Sequence, residues 1–130
     1  MIRPLRTIML AGTLRPSPLR EELDLHDLCL PVGREGTLLD AWLGAFRTVE
    51  GLDDVLVVVN TERDVEMLDR ITGAGRSRHG DQLAVRTTVE PAAWRGVGGI
   101  LRDVTEDLND EAIVIAVEAH ALPAPTLQPM

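Results

Sequence analysis

Apolar positions along this chain follow two rhythms: short unbroken runs, and segments where apolar side chains return every three or four residues. Thr7–Ala11 (TIMLA), Val55–Val59 (VLVVV), Leu83–Val89 (LAVRTTV) and Ala112–Val117 (AIVIAV) are of the first kind and predict strands. VLVVV is β-branched and continuous, as expected of a strand covered on both faces. The second rhythm begins after Thr37, which reads as a helix N-cap. Leu38, Leu39, Trp42, Leu43 and Phe46 then share one helix face. Glu62–Ile71 predicts a second helix with Val65, Leu68 and Ile71 inward. Gly98–Leu108 predicts a third, with Ile100, Leu101, Val104 and Leu108 on one side. Thr13–Gly36 reads as a long connection rich in proline and charge, anchored by the apolar LCLPV (Leu28–Val32). GAGRSRHG (Gly73–Gly80) reads as a flexible turn.

The order βαβαβαβ, with a helix in each crossover, implies parallel strands and right-handed connections. The expected fold is an open, parallel, three-layer, Rossmann-like α/β sheet of about four strands. One domain is expected over residues 1–122, followed by a Pro-rich tail at 123–130 that cannot easily continue a helix or strand. Ligands of such sheets sit beyond the carboxyl ends of the strands. Any site should therefore come from Gly12–Pro18, Asn60–Asp64, Glu90–Gly99 and Glu118–Leu122.

Composition narrows the function classes. The chain has 130 residues, 45% of them hydrophobic but only 2% aromatic, so its core must be aliphatic. Its formal net charge is −8, and the short Arg76–Arg78 stretch is its longest basic cluster, which argues against nucleic-acid binding. Cys29 is the single cysteine, so an internal disulfide and a cysteine metal cluster are excluded. No run approaches the ~18 apolar residues of a membrane span. The opening MIRPLRTIML lacks a signal-peptide pattern, and a cytoplasmic protein is expected.

Three stretches carry a resemblance. IMLAG leading to LRPSPL, then CLPVGREGTLLDAWLGAF, then VLVVVN, resembles the N-terminal half of the sugar-phosphate nucleotidyltransferases, and WRGVGGIL (Trp94–Leu101) is similar to a later element of that family. The resemblance implies a Rossmann-like layer, usually in a chain near twice this length. It also implies attack of a sugar 1-phosphate oxygen on the α-phosphate of a nucleoside triphosphate, with pyrophosphate leaving. Mg²⁺, loop backbone, Arg and Lys would neutralise the developing charge. On this resemblance Ala11, Gly12, Thr13, Arg15, Gly96 and Gly98 are the nucleotide-binding candidates.

The departures from the family pattern point away from transfer. Only Gly12 remains of the glycine loop, whose glycines let backbone approach phosphate. The phosphate-binding lysine falls at Asp27, which turns attraction into repulsion. At about 4 Å and an effective dielectric of 20, two unit charges interact by roughly 4 kcal/mol. The metal-binding aspartate falls at Ala119, with Glu118 one residue early and so on the opposite strand face. The expected reading is a degenerate relative, a pseudoenzyme without catalytic residues or resident cofactor; Mg²⁺ would be needed only if transfer survives.

Each candidate has a plainer reading beside it. Gly12 and Thr13 could donate N–H groups to phosphate, or simply end a strand in a turn. Arg15 could bind phosphate, sit in solvent, or pair with Glu21 or Glu22. Gly96, Gly98 and Gly99 could admit a nucleobase, or allow close helix–sheet packing. Trp94 could stack on a base or cover the end of a core. His26, His79 and His120 lack metal-ligand spacing. Cys29 reads as a small packed hydrophobe, and Asp103, Glu106, Asp107, Asp110 and Glu111 as a solvated helix face.

In the resembled fold the fourth strand lies beside the first and later strands continue outward from it. Here only the Pro-rich tail follows, so Ala112, Ile113, Val114, Ile115, Ala116 and Val117 should form an apolar edge, an invitation to another chain. A homodimer, or a complex with another protein, is expected there. The alternative is a small protein that binds a nucleotide or nucleotide sugar through Ala11–Thr13, Arg15 and the Gly96–Gly99 loop.

Overall fold

The computed structural model describes residues 5–12, 18–33, 36–52, 54–72, 83–90, 96–108 and 112–119. Its main sheet has four parallel strands: β1 (Leu5–Leu10), β4 (Asp54–Val59), β5 (Ala84–Val89) and β6 (Ile113–Glu118). Their order across the sheet is β5-β4-β1-β6. A two-stranded antiparallel ribbon, β2 (Pro31–Val32) with β3 (Gly36–Thr37), lies in the connection after β1. The helices are α1 (Pro18–Leu23), α2 (Leu38–Phe46), α3 (Glu62–Thr72) and α4 (Gly96–Val104).

Strand alternation assigns the layers. Met9, Val55, Val57 and Val59 project to one face and pack with Leu38, Leu39, Trp42, Leu43 and Phe46 of α2 and Leu68 of α3. Ile8, Leu56 and Val58 project to the other and meet Ile100, Leu101 and Val104 of α4. The sheet is thus a middle layer between helices, and β4 is buried along nearly its whole length, as its β-branched run requires. The two crossovers that lead outward from β1 to β5 use one face. The return from β5 to β6 uses the other. The reversal puts the topological switch between β1 and β6.

Local chemistry sets the helix ends. Thr37 caps α2 in a reciprocal box: Asp40 N–H donates to Thr37 Oγ1 at 3.3 Å, and Thr37 N–H donates to Asp40 Oδ2 at 2.8 Å. Thr61 Oγ1 accepts from Asp64 N–H at the start of α3. Arg6 on β1 closes α4, donating to the Val104 carbonyl at 3.1 Å and pairing with Asp107 at 2.8 Å. A cation there suits the negative helix end.

Several expectations need correction. The stretch 13–36 is not a plain connection. Its described part holds α1, a 3₁₀ turn (Asp27–Cys29) and the β2–β3 ribbon. The sequence hid them because each is too short to show a period. Ile71 was expected inward but is 37% exposed, because α3 buries Asp64 and Leu68 and turns its last residues away from the sheet. The third predicted helix stops at Val104 rather than Leu108, where Arg6 takes its carbonyl. Asp107 is exposed as expected but lies beyond the end of α4, and its bond to the Arg6 guanidinium holds its carboxyl below the usual range. Among the described residues, no helix is long and apolar enough to cross a membrane.

Candidate functional site

The parallel strands bring Ala11–Gly12, Asn60, Glu90 and Glu118–Ala119 to one edge of the sheet. Ala11 and Gly12 follow β1. Ala11 is fully buried, and its N–H donates to the Val58 carbonyl at 2.8 Å, which continues the β1–β4 ladder by one residue. Gly12 lies against the Asn60 carboxamide: a Cβ built on Gly12 would be 3.0 Å from Asn60 Nδ2 and 3.1 Å from Oδ1. Asn60 Nδ2 in turn donates to Glu90 Oε1 at 3.1 Å. Three adjacent strands thus end in one polar lattice of glycine backbone, carboxamide and carboxylate.

His26 supports this edge from below and is fully buried. Its Nδ1 accepts from Leu28 N–H at 3.0 Å, so the ring proton sits on Nε2, which donates to the Ala11 carbonyl at 2.8 Å. One neutral tautomer therefore caps the 3₁₀ turn and holds the end of β1. Next to it, Asp24 stands in the left-handed region at φ 52° and pairs with Arg63 of α3. Asp64, the next residue of α3, is 1% exposed. Sequence reasoning missed His26 as a structural anchor and Asp64 as a buried residue: an isolated polar residue carries no period that marks it as buried.

The remaining candidates separate. Gly98 lies in the first turn of α4 with open space where a Cβ would stand. Gly96 begins that helix. Asp27, at the position the resemblance gives to a phosphate-binding lysine, starts the 3₁₀ turn. Ala119, at the position it gives to a metal aspartate, is fully buried and donates its N–H to the Leu10 carbonyl at 3.2 Å. Thr13, Arg15, Trp94, His79 and His120 lie outside the described residues. Among the described residues no three His, Cys, Asp or Glu side chains gather as metal ligands.

The expected edge strand is at the edge. β6 pairs with β1 from Leu5↔Ile113 to Leu10↔Glu118 and has no neighbour on its other side among the described residues. Ile113 and Val114 are 45% and 40% exposed. Ala116 is exposed, and Ala112, Ile115 and Val117 are half-buried.

No family model matches the chain, and no curated protein matches it. Solved structures do. One is 4-diphosphocytidyl-2C-methyl-D-erythritol synthase from Anaerococcus prevotii DSM 20548, with TM-score 0.55 and 14% identity over 90% of this chain and 43% of that one. Another is Rv0371c from Mycobacterium tuberculosis H37Rv, with TM-score 0.57 and 19% identity over 96% of this chain and 57% of that one. The chain thus spans about half the length of the structures it matches. At these identities the likeness is one of fold, and the fold is a nucleotidyltransferase-like α/β sheet.

Proposed function

We propose that this domain no longer transfers nucleotides and works by protein association through the outer edge of β6. The observation that carries the reading is the contrast between the two edges of the sheet. The β5 edge strand has Arg86, paired with Asp54 at 2.8 Å, and Thr87 and Thr88. Charged and polar side chains of this kind discourage strand addition. β6 offers five consecutive apolar residues, Ile113 to Val117, three of them exposed. Such an edge is costly to leave open in water.

The carboxyl edge supports the loss of transfer. The face of Gly12 is taken by Asn60, a carboxylate stands where the resembled family has a lysine, and a buried alanine stands where it has the metal-binding aspartate. The test is mass measurement by light scattering together with a pyrophosphate-release assay over nucleoside triphosphates, sugar 1-phosphates and Mg²⁺. The reading expects an assembly that Val114→Lys disrupts, and no release. Turnover, or an assembly indifferent to Val114→Lys, overturns it.

The open space at Gly98, in the α4 turn that follows the carboxyl edge, favours a second reading: a nucleotide or nucleotide-sugar binder. A ligand at about 100 times its dissociation constant should stabilise the fold by roughly 2.7 kcal/mol. A thermal-shift panel with Arg15→Ala as control separates the two readings. A selective shift lost in the variant supports binding, and a flat panel removes it.

A further inference from the structure

Resting on the reading of β6 as the working edge, we propose that its occupant is an extended segment of a different protein, with lysine or arginine at alternate positions, added as a fifth strand of the sheet. The backbone of β6 supplies the rail. Ala119 N–H points inward to the Leu10 carbonyl, and successive residues of a strand turn their backbone groups to opposite sides. Ile113, Ile115 and Val117 therefore bond toward β1, while Val114, Ala116 and Glu118 present their N–H and C=O groups outward. An extended chain laid alongside satisfies those groups, and its own side chains then alternate between the two faces of the sheet.

The two faces ask for different side chains. Val117 packs against the core shared with α2 and α3, and Ile113 and Ile115 lie on its side, so this face of the edge is apolar. Val114, Ala116 and Glu118 lie on the face that carries α4. Glu118 is exposed, and among the described residues no Arg pairs with it. The chain around the strand has one sign. Up to Arg102 it holds thirteen arginines against fifteen acidic residues. Beyond Arg102 there is no arginine or lysine, while Asp103, Glu106, Asp107, Asp110, Glu111 and Glu118 follow. Six of the eight net negative charges thus fall in the last 28 residues, the part that contains β6. Arg6, the register partner of Val114, offsets Asp107, while Glu106 is exposed like Glu118. A strand of like sign is repelled by this surface and a cationic one is drawn to it. A segment that is apolar toward α2 and α3 and cationic toward α4 meets both faces, because opposite charges across a ladder attract and like charges repel.

The test titrates the full chain into two fluorescent peptides of about eight residues, within the usual length of a strand. One alternates valine with lysine and the other valine with glutamate, and anisotropy reads the affinity. The lysine peptide should bind, and the glutamate peptide at least about tenfold more weakly, with the gap narrowing at high salt. A cationic peptide is drawn to any acidic protein, so Ala116→Pro controls for place. It keeps every charge, removes one outward N–H and leaves the bonds to β1, a position where edge strands tolerate proline. Loss of lysine-peptide binding is expected in this variant, with its circular dichroism unchanged. Glu118→Gln, which leaves the backbone alone, should weaken the lysine peptide about two- to fivefold, the worth of one cross-strand charge pair. A lysine peptide that binds folded Ala116→Pro or Glu118→Gln as tightly as the parent overturns the cationic strand, as does a glutamate peptide that binds equally well. If neither peptide binds, the cationic strand falls, and amide exchange at 114, 116 and 118 decides the edge reading. Fast exchange leaves the edge open to a partner of other chemistry. Protection in a monomer means that the chain covers its own edge, and the association reading falls as well.

Discussion

Replacing His26 tests whether one buried ring holds the carboxyl edge together. The ring is fully buried and makes two backbone hydrogen bonds, from Leu28 N–H to Nδ1 at 3.0 Å and from Nε2 to the Ala11 carbonyl at 2.8 Å. Each such bond contributes about 1 kcal/mol net, and a buried N–H left without an acceptor costs about 1–3 kcal/mol. His26→Ala removes both bonds, strands the Leu28 N–H and leaves a hole, so a loss of about 3–4 kcal/mol is expected. For a domain of this size that lowers Tm by roughly 10 °C. His26→Asn separates the two bonds. Its carboxamide oxygen can accept from Leu28 N–H, where Asn is a good cap, but its shorter side chain cannot reach Ala11. It should recover about 1 kcal/mol or more of the loss. His26→Gln should do the reverse. Urea unfolding followed by far-UV circular dichroism reads all three on one scale. His26→Ala within about 0.5 kcal/mol of the parent, the range of ordinary surface substitutions, would refute the anchoring argument, as would Asn and Gln variants no better than alanine.

Other perturbations probe neighbouring claims. Gly12→Ala places a Cβ 3.0 Å from Asn60 Nδ2, so the carboxamide must shift by a few tenths of an ångström and strain its 3.1 Å bond to Glu90. A loss of about 1 kcal/mol is expected, and Asn60→Ala should relieve most of it in a double-mutant cycle by denaturation. Thr37→Ala opens the capping box of α2 and should cost about 1 kcal/mol, with Asp40→Ala adding little once Thr37 is gone. Arg6 holds the Asp107 carboxyl below its usual range, so this pair favours the fold at neutral pH, and its contribution is lost as pH falls through the lowered value. The stability difference between the parent and Asp107→Asn should vanish at the acid end of a pH series of melts.

The layers were legible because their signals were periodic or continuous. Val55–Val59 could only be a doubly covered strand, and the spacing of Leu39, Trp42, Leu43 and Phe46 placed α2 on it. Helices in every crossover implied parallel strands, while the place of the fourth strand beside the first came from the family resemblance and matches the observed order. What stayed hidden was aperiodic. His26 looked like one of three scattered histidines, although its neighbours in LCLPV already marked a buried anchor. The Asn60–Glu90 contact joins residues thirty positions apart, so no local pattern could announce it. The same limit applied to the phosphate-loop reading of Gly12. The sequence shows that a glycine is there, while only the packing shows that Asn60 needs the space.

Glycine after β1 can serve two incompatible ends: leaving backbone open to a ligand, or making room for a neighbouring side chain. Asn60 takes the second, and its bond to Glu90 fixes the carboxamide where a phosphate-facing loop would need freedom. Bringing an anion to that spot would mean breaking the Asn60–Glu90 bond and approaching a carboxylate. Asn60→Gly with Glu90→Gln should therefore be the pair that reopens the edge. If the fold retains a latent anion site, this double variant gains a thermal shift with nucleotide or pyrophosphate that the parent lacks. No gain in the double variant would mean that Asn60 and Glu90 are not what keeps an anion from this edge.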